Sequence, residues 1–511
     1  MKNLRAGLLF LGLVLSAETS AKLLRHASQV DPGTMDPHAI ATLYNNRVLS
    51  QIYEPLVSRD ETFKPDGRLA LSWTPLDGGK GWRFKLRPGV KFHDGTPFGA
   101  DDVVFNVKRA LDPLSAMKST LPNVTGARKV DDLTVDLLTS QPTPVLPLSL
   151  TNLRLMSKAW CEKHKVERPQ DFKAKEETHA TRHTNGTGPF TLKRWDTDVT
   201  TILVAHPGYW GKRGNVTEAH YLVVATGATR LAGLISGEID IVTDPSVQDF
   251  IRLRTQPGIT VGEVTGTGSQ FLGFHHGRAD LPFKDARVRL AVRAAIDINA
   301  LQTKVMRGTA SVGKAIYTSV IDGFDPRFKG HPRYEPERAK QLLKEAGYPN
   351  GFAVDLECSV QQPTDSICQA LSGMLSRVGI KANYRPLPFN VLLPKLLSGD
   401  TQMYVIGWTA ATAEPEGVLV PLAHSRNAPG VGEYNFGVYS NPRADAAIDK
   451  GRVEFDAAKR AAHFTEAMAA IDADAGFIPL VYRNITWAMR KNVKVIMRPN
   501  DVLDLRFVNV D

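Results

Sequence analysis

The chain has 511 residues, 42% of them hydrophobic and 23% charged, and a formal net charge of +10. That length exceeds what one hydrophobic core sustains, so two or more folding units are expected, and the composition excludes a disordered chain or a fibrous repeat. Lysines and arginines stand singly among acids, which argues against a nucleic-acid surface and for a mixed, solvated one.

At the N-terminus Lys2 and Arg5 precede an apolar run from Ala6 to Leu15 and small residues ending Thr19-Ser20-Ala21. This is the order of a secretory signal, and the run is shorter than the ~20 residues a membrane-crossing helix needs. Cleavage after Ala21 is expected, with Ala17 as the second site. No cysteine lies near either, so a lipid anchor is not expected. The mature chain is expected to be a soluble protein of the periplasm.

Trp82 to Leu86 alternates as a half-buried strand, Arg87-Pro88-Gly89-Val90 turns it, and Asp94-Gly95 marks a second turn. Asp101 and Asp102 open a helix with Val103, Val104, Val107, Ala110 and Leu111 on one face, ended by Asp112-Pro113. Thr229 is expected to cap a short helix through Leu231, Leu234 and Ile235 that stops at Gly237, with a strand at Ile239 to Val242. Asp285, Pro336 and Thr364 each start a further helix, and a last long one covers about Asp456 to Ile471 before a strand at Ile478 to Tyr482. Strands alternating with helices and no fixed-period repeat give an α/β class. Glycine-bearing breaks near Gly186 to Pro189 and at Gly266 to Gly268 are the candidate lobe boundaries, and Gly266 and Gly268 suit a hinge.

Cys161, Cys358 and Cys368 are the only cysteines. Cys358 and Cys368 could bridge across a strand-to-helix loop, leaving Cys161 unpaired; spacing alone does not decide this. No G-x-S-x-G, H-E-x-x-H or C-x-x-C occurs, which weakens an enzyme reading. Gly308 to Lys314 imitates a phosphate-binding loop, but Ala315 stands where a Ser or Thr must meet magnesium. His179 and His183 are four apart, without a further ligand at metal spacing, and read as solvated loop histidines. His275 and His276 either line a cleft or are satisfied by backbone at a strand end, the second being favoured.

The stretch from Gly81 to Phe98, followed by Ala100-Asp101-Asp102-Val103, resembles the signature of the large periplasmic binding proteins for peptides and nickel that feed ABC importers. Further pieces follow in the family's order: Asp31 to Pro37, Tyr53-Glu54-Pro55, Gly186 to Phe190, Tyr209-Trp210, Gly237 to Asp240, Pro282-Phe283 and Gly407-Trp408. The resemblance implies a two-lobed periplasmic-binding fold of type II with an extra subdomain on the N-terminal lobe. In that scheme residues 1–21 are the signal, 22–268 lobe I with the extra subdomain at about 50–185, 269–480 lobe II, and 481–511 the return to lobe I.

It also implies the function: capture of a peptide or peptide-like solute between the lobes and delivery to an inner-membrane ABC permease with cytoplasmic ATPase subunits. No catalysis, cofactor, metal or nucleic acid is called for, and the protein would be a monomer. Alternatives are a receptor for a nickel chelate, an opine or a modified amino acid, or a periplasmic chaperone or hydrolase using the same cleft. The ligand-binding candidates are Thr34, Met35, Arg154, Gln362, Trp408, Thr409, Ala410, Ala411 and Glu414, with a solvated arginine the favoured alternative for Arg154 and plain core packing an equal one for Trp408. Two of these depart from the pattern. By register Ala411 replaces the aspartate that meets a peptide's ammonium, and Gln362 the arginine that grips a dipeptide's carboxylate; Glu414 could replace the lost acid.

Overall fold

The computed structural model describes residues 22–330, 333–361, 363–410, 412–427 and 431–511. The expected signal segment, Gln362 and Ala411 lie outside the described residues.

One sheet runs through both halves of the molecule. Its order is Ile380–Leu387, Phe352–Ser359, Met403–Thr409, Ile259–Phe274, Ile478–Arg490, Ile241–Thr243, Leu23–Ser28, Glu218–Val223, Thr200–Ala205 and Phe190–Asp196. Each half has a parallel centre: Leu23–Ser28 between Glu218–Val223 and Ile241–Thr243, and Phe352–Ser359 between Ile380–Leu387 and Met403–Thr409. Open parallel sheets bind ligands in the crevice beyond the carboxyl ends of their strands, so those ends locate the site.

Two long strands join the halves. Ile259 packs in a core with Ala27, Leu234 and Ala488, whereas Leu272 and Phe274 belong to a second core with Val292, Leu356 and Leu371. The other strand makes the reverse passage, from Ile478 and Leu480 in the second core to Ile485 and Trp487 in a third around Leu24, Leu203 and Val508. The two pair antiparallel from Ile259 with Arg490 to Leu272 with Ile478, and the register slips between Thr265 and Ser269. Gly266 to Gly268 therefore does not end a strand, as its glycines suggest. It is an irregularity inside one, tolerated because the partner strand supplies the ladder on both sides.

A separate antiparallel sheet, Ala70–Pro75, Gly81–Leu86, Thr134–Thr139 and Val124–Asp131, carries helix Ala100–Ala110 on one face. Phe84, Val103, Val107, Val135 and Leu150 form its core. Asp102 starts that helix by accepting the Gly99 N–H at 2.9 Å and also accepts the Lys158 N–H at 2.8 Å. The helices expected after Asp285 and from about Asp456 are in place, and both residues cap them, accepting from the Arg287 and Lys459 N–H groups. Thr229 is not a cap: the helix runs Gly227–Ser236 from Thr226, one turn earlier. Cys358, on strand Phe352–Ser359, and Cys368, on helix Thr364–Ser376, form a disulfide, and Cys161 is free and buried. Among the described residues no helix is long and apolar enough to cross a membrane.

Candidate functional site

A cavity of about 350 Å³ lies where the halves meet, within the range of about 300–1,000 Å³ typical of small-molecule sites. From one side it is lined by the segment after strand Leu23–Ser28, including Ile40, Thr42 and Asn46, together with Phe63, Met117 and Arg154. From the other come Thr409 and Ala410 at the end of strand Met403–Thr409, and Thr267 of the irregular step contributes at the crossing. The strand ends that the topology singles out are thus the ones that meet.

Local bonds fix the first wall. Thr42 caps helix Leu43–Leu49 by accepting the Asn45 N–H at 3.2 Å, and the Asn45 amide donates to the Thr34 and Pro32 carbonyls. Arg47, on the buried side of the same helix, donates to Asp501 at 2.8 Å and Asp244 at 2.9 Å, which ties the helix to the C-terminal segment.

Arg154 is the one charged side chain among the described residues that line the cavity. Its guanidinium donates to the Thr151 carbonyl at 2.8 Å and to Asn46 Oδ1 at 2.9 Å, while Nε has no partner. No described carboxylate lies within ion-pair distance of it. Burial, helped by Arg498 and Arg506 nearby, pulls its pKa down to about 10 against the partial compensation of Asp504 and Glu54. Arg154 thus places the one formal charge on walls that otherwise mix apolar side chains with threonines and asparagines.

Of the residues proposed from sequence, Arg154, Thr409 and Ala410 come together here. Trp408 sits one residue away; its Nε1–H donates to the Gly417 carbonyl at 2.8 Å and its ring lies 5.0 Å from that of Tyr434. Thr34 and Met35 do not line the cavity. Thr34 is buried and donates to Gln170 at 2.6 Å, and Met35 is fully buried in a core, because the turn at Asp31 to Pro37 points its side chains inward. Glu414 does not reach the cavity either: its carboxylate is paired with Arg460. Ile40, Thr42, Asn46, Phe63 and Met117 were missed. The capping pattern at Thr42 was the available signal for that wall, whereas Phe63 and Met117 come from loops without one.

The other candidates resolve into structure. His164, His179 and His183 stack ring on ring, with centroids 3.9 and 4.1 Å apart; His183 is exposed, as the solvated reading expects, while His179 starts the short helix His179–Arg182. Among the described residues no group of three or more His, Cys, Asp or Glu is placed to hold a metal ion. His276 Nε2 meets the Gly476 carbonyl at 3.2 Å and the His275 backbone N–H bonds the Gln402 carbonyl, the strand-end reading. At the imitation phosphate loop, the Lys314 and Ala315 N–H groups both donate to the Tyr482 hydroxyl.

Several short motifs converge on one buried acid. Glu54 accepts from Arg68 at 2.6 Å and from the Thr187 hydroxyl, the Tyr209 hydroxyl and the Trp210 ring N–H at 2.9 Å each. Gly186 and Gly188 pass so close to the neighbouring chain that a Cβ would stand 2.0 Å from the Ile52 carbonyl oxygen and 2.5 Å from that of Gln51. These motifs hold the frame of the lobe and do not touch the ligand site.

Residues 64–430 match the model of the bacterial extracellular solute-binding proteins, family 5. Heme-binding protein A of Haemophilus influenzae is 28% identical over 466 residues, covering 86% of this chain and 82% of that protein. Glutathione-binding protein GsiB of Escherichia coli O157:H7 is 28% identical over 507 residues, covering 96% and 95%. The solved structure of HbpA2 from Haemophilus parasuis superposes with a TM-score of 0.85 at 23% identity, covering 96% of this chain and all of that one, which shows the two-lobed fold. On these grounds the chain belongs to the bacterial extracellular solute-binding proteins of family 5.

Proposed function

We propose that the mature chain, freed of residues 1–21, is a periplasmic receptor that captures a peptide or peptide-like solute and hands it, chemically unaltered, to an ABC permease. The observation that carries this is the inter-lobe cavity at the carboxyl end of strand Met403–Thr409, whose walls mix apolar side chains with threonines, asparagines and the single charge of Arg154. The lobes divide near 268 and 480, within the two crossing strands, with the subdomain at about 50–185 belonging to lobe I. The register slip at Thr265 to Ser269 serves as the hinge. The protein works as a monomer and uses no cofactor. Arg154 grips an acidic end of the solute, Thr409 and Ala410 offer backbone and hydroxyl contacts, and Trp408 backs the wall. Glutathione and heme, for which two relatives are named, both carry carboxylates suited to such a cation.

A plain dipeptide lacks its usual partners, since Ala411 and Gln362 stand where an acid and a base would be. Truncating one side of a buried charge pair typically costs ~2–5 kcal/mol, or roughly 30- to 5000-fold in affinity. Titration calorimetry with free Ala-Ala and Gly-Leu is therefore expected to show no binding at micromolar concentration, and Ala411→Asp with Gln362→Arg to raise it. Micromolar binding by the unaltered protein would refute this specificity.

A further inference from the structure

We infer that the solute presents a carboxylate to Arg154 and carries no free ammonium, a refinement that rests on the capture reading above. The acids around the cavity are all spoken for. Glu54 is held by Arg68 and three neutral donors, Asp504 by Arg498 and Arg506, and Asp501 and Asp244 by Arg47. Asp322 is held by Arg59 at 2.9 Å and Lys64 at 3.0 Å, and Glu414 by Arg460. None of these lines the cavity, and each already has a cation beside it, although Asp501 and Asp244 share Arg47 and Glu414 shares Arg460 with Glu416. Arg154 is the reverse case: it lines the cavity and pairs with no described carboxylate.

The arithmetic of buried charge decides the class. A partly buried cation with no described carboxylate beside it favours an incoming anion, whereas an ammonium entering the same space meets that charge and finds no described acid among the lining residues. Asn46 reinforces the geometry. Its Oδ1 accepts from one terminal nitrogen and the Thr151 carbonyl from the other, which fixes the plane of the guanidinium in the cavity wall. An amino-blocked or amine-free acid satisfies that charge without stranding one of its own.

The test takes wild-type and Arg154→Met protein side by side from the periplasm and releases the bound solute by denaturation. The solute is weighed before and after carboxyl methylation and amine acetylation. It should gain methyl mass and no acetyl mass, and Arg154→Met should carry about tenfold less of it or lower still. Acetyl mass, absence of methyl mass, or equal loading of the two proteins overturns the inference. Protein that arrives empty is instead titrated with N-acetyl-Ala-Ala and with Ala-Ala amide. The first should bind about tenfold more tightly or better, and equal binding, or none by either, counts against the inference. An anionic solute that is no peptide would end the peptide-like reading and keep this one. A peptide with a free amine would do the opposite.

Discussion

Arg109→Met is expected to lower the unfolding free energy by about 3–5 kcal/mol, the usual cost of leaving a buried charge without its partner. Arg109 and Asp36 are both fully buried and bonded along two edges, at 2.8 and 2.6 Å. Arg109 belongs to helix Ala100–Ala110, whereas Asp36 stands in the turn that leads into the cavity wall, so the pair pins the wall to that helix. Its arginine holds the Asp36 carboxyl below the usual carboxylate range despite burial. Replacing both partners, Asp36→Asn with Arg109→Met, should recover much of the loss, since no charge is then stranded. Urea unfolding followed by tryptophan fluorescence measures each step. A single variant as stable as wild type would show that the Gln170 and His38 N–H groups suffice for Asp36.

Stability should also fall steeply on mild acidification. Burial is the leading cause that holds the pKa of His26 and His276 near about 3 and of His38 and His93 near about 4, with the cations Arg47, Arg289 and Arg109 adding to it at His26, His276 and His38. In the unfolded chain each titrates near ~6.5. Depressed histidines leave the unfolded state holding more protons, so stability is present above ~6.5 and is lost as pH falls below it. Two carboxyls act in the opposite sense: burial raises Asp501 to about 6 and Glu416 to about 7, so the folded state gains protons there. Among these six groups, four against two leave a net of about two protons, a contribution of ~2.7 kcal/mol per pH unit between roughly pH 6 and 5. Denaturant unfolding at pH 7, 6 and 5 checks it, and a flat profile would mean the four histidines are not buried neutral.

The sequence disclosed the elements whose signals are local. Asp285 and Asp456 cap the helices their positions suggest, and helix Ala100–Ala110 follows its valine stripe to within a residue of Asp101. Thr229 misled because the helix already begins at Gly227, after Thr226, whose side chain makes no capping bond. The long crossing strands were hidden at Gly266 to Gly268, since a glycine step inside a paired strand and a loop look alike until the partner is known.

For the site the boundary falls elsewhere. Arg154, Thr409 and Ala410 were legible through resemblance, and the cavity gathers all three. Thr34, Met35 and Glu414 were not, because whether a side chain faces a cleft or a core depends on the loop's path. Thr34 turns to Gln170 and Glu414 to Arg460, partners 136 and 46 residues away. The disulfide between Cys358 and Cys368 likewise needed the strand and helix side by side before spacing became contact.

Native mass spectrometry of the protein taken directly from the periplasm tests capture without turnover most directly. The predicted result is a chain beginning at Lys22 that carries one small solute, recovered with the same mass after prolonged incubation. A chain retaining Met1, or a solute whose mass changes on incubation with the protein, would contradict the account.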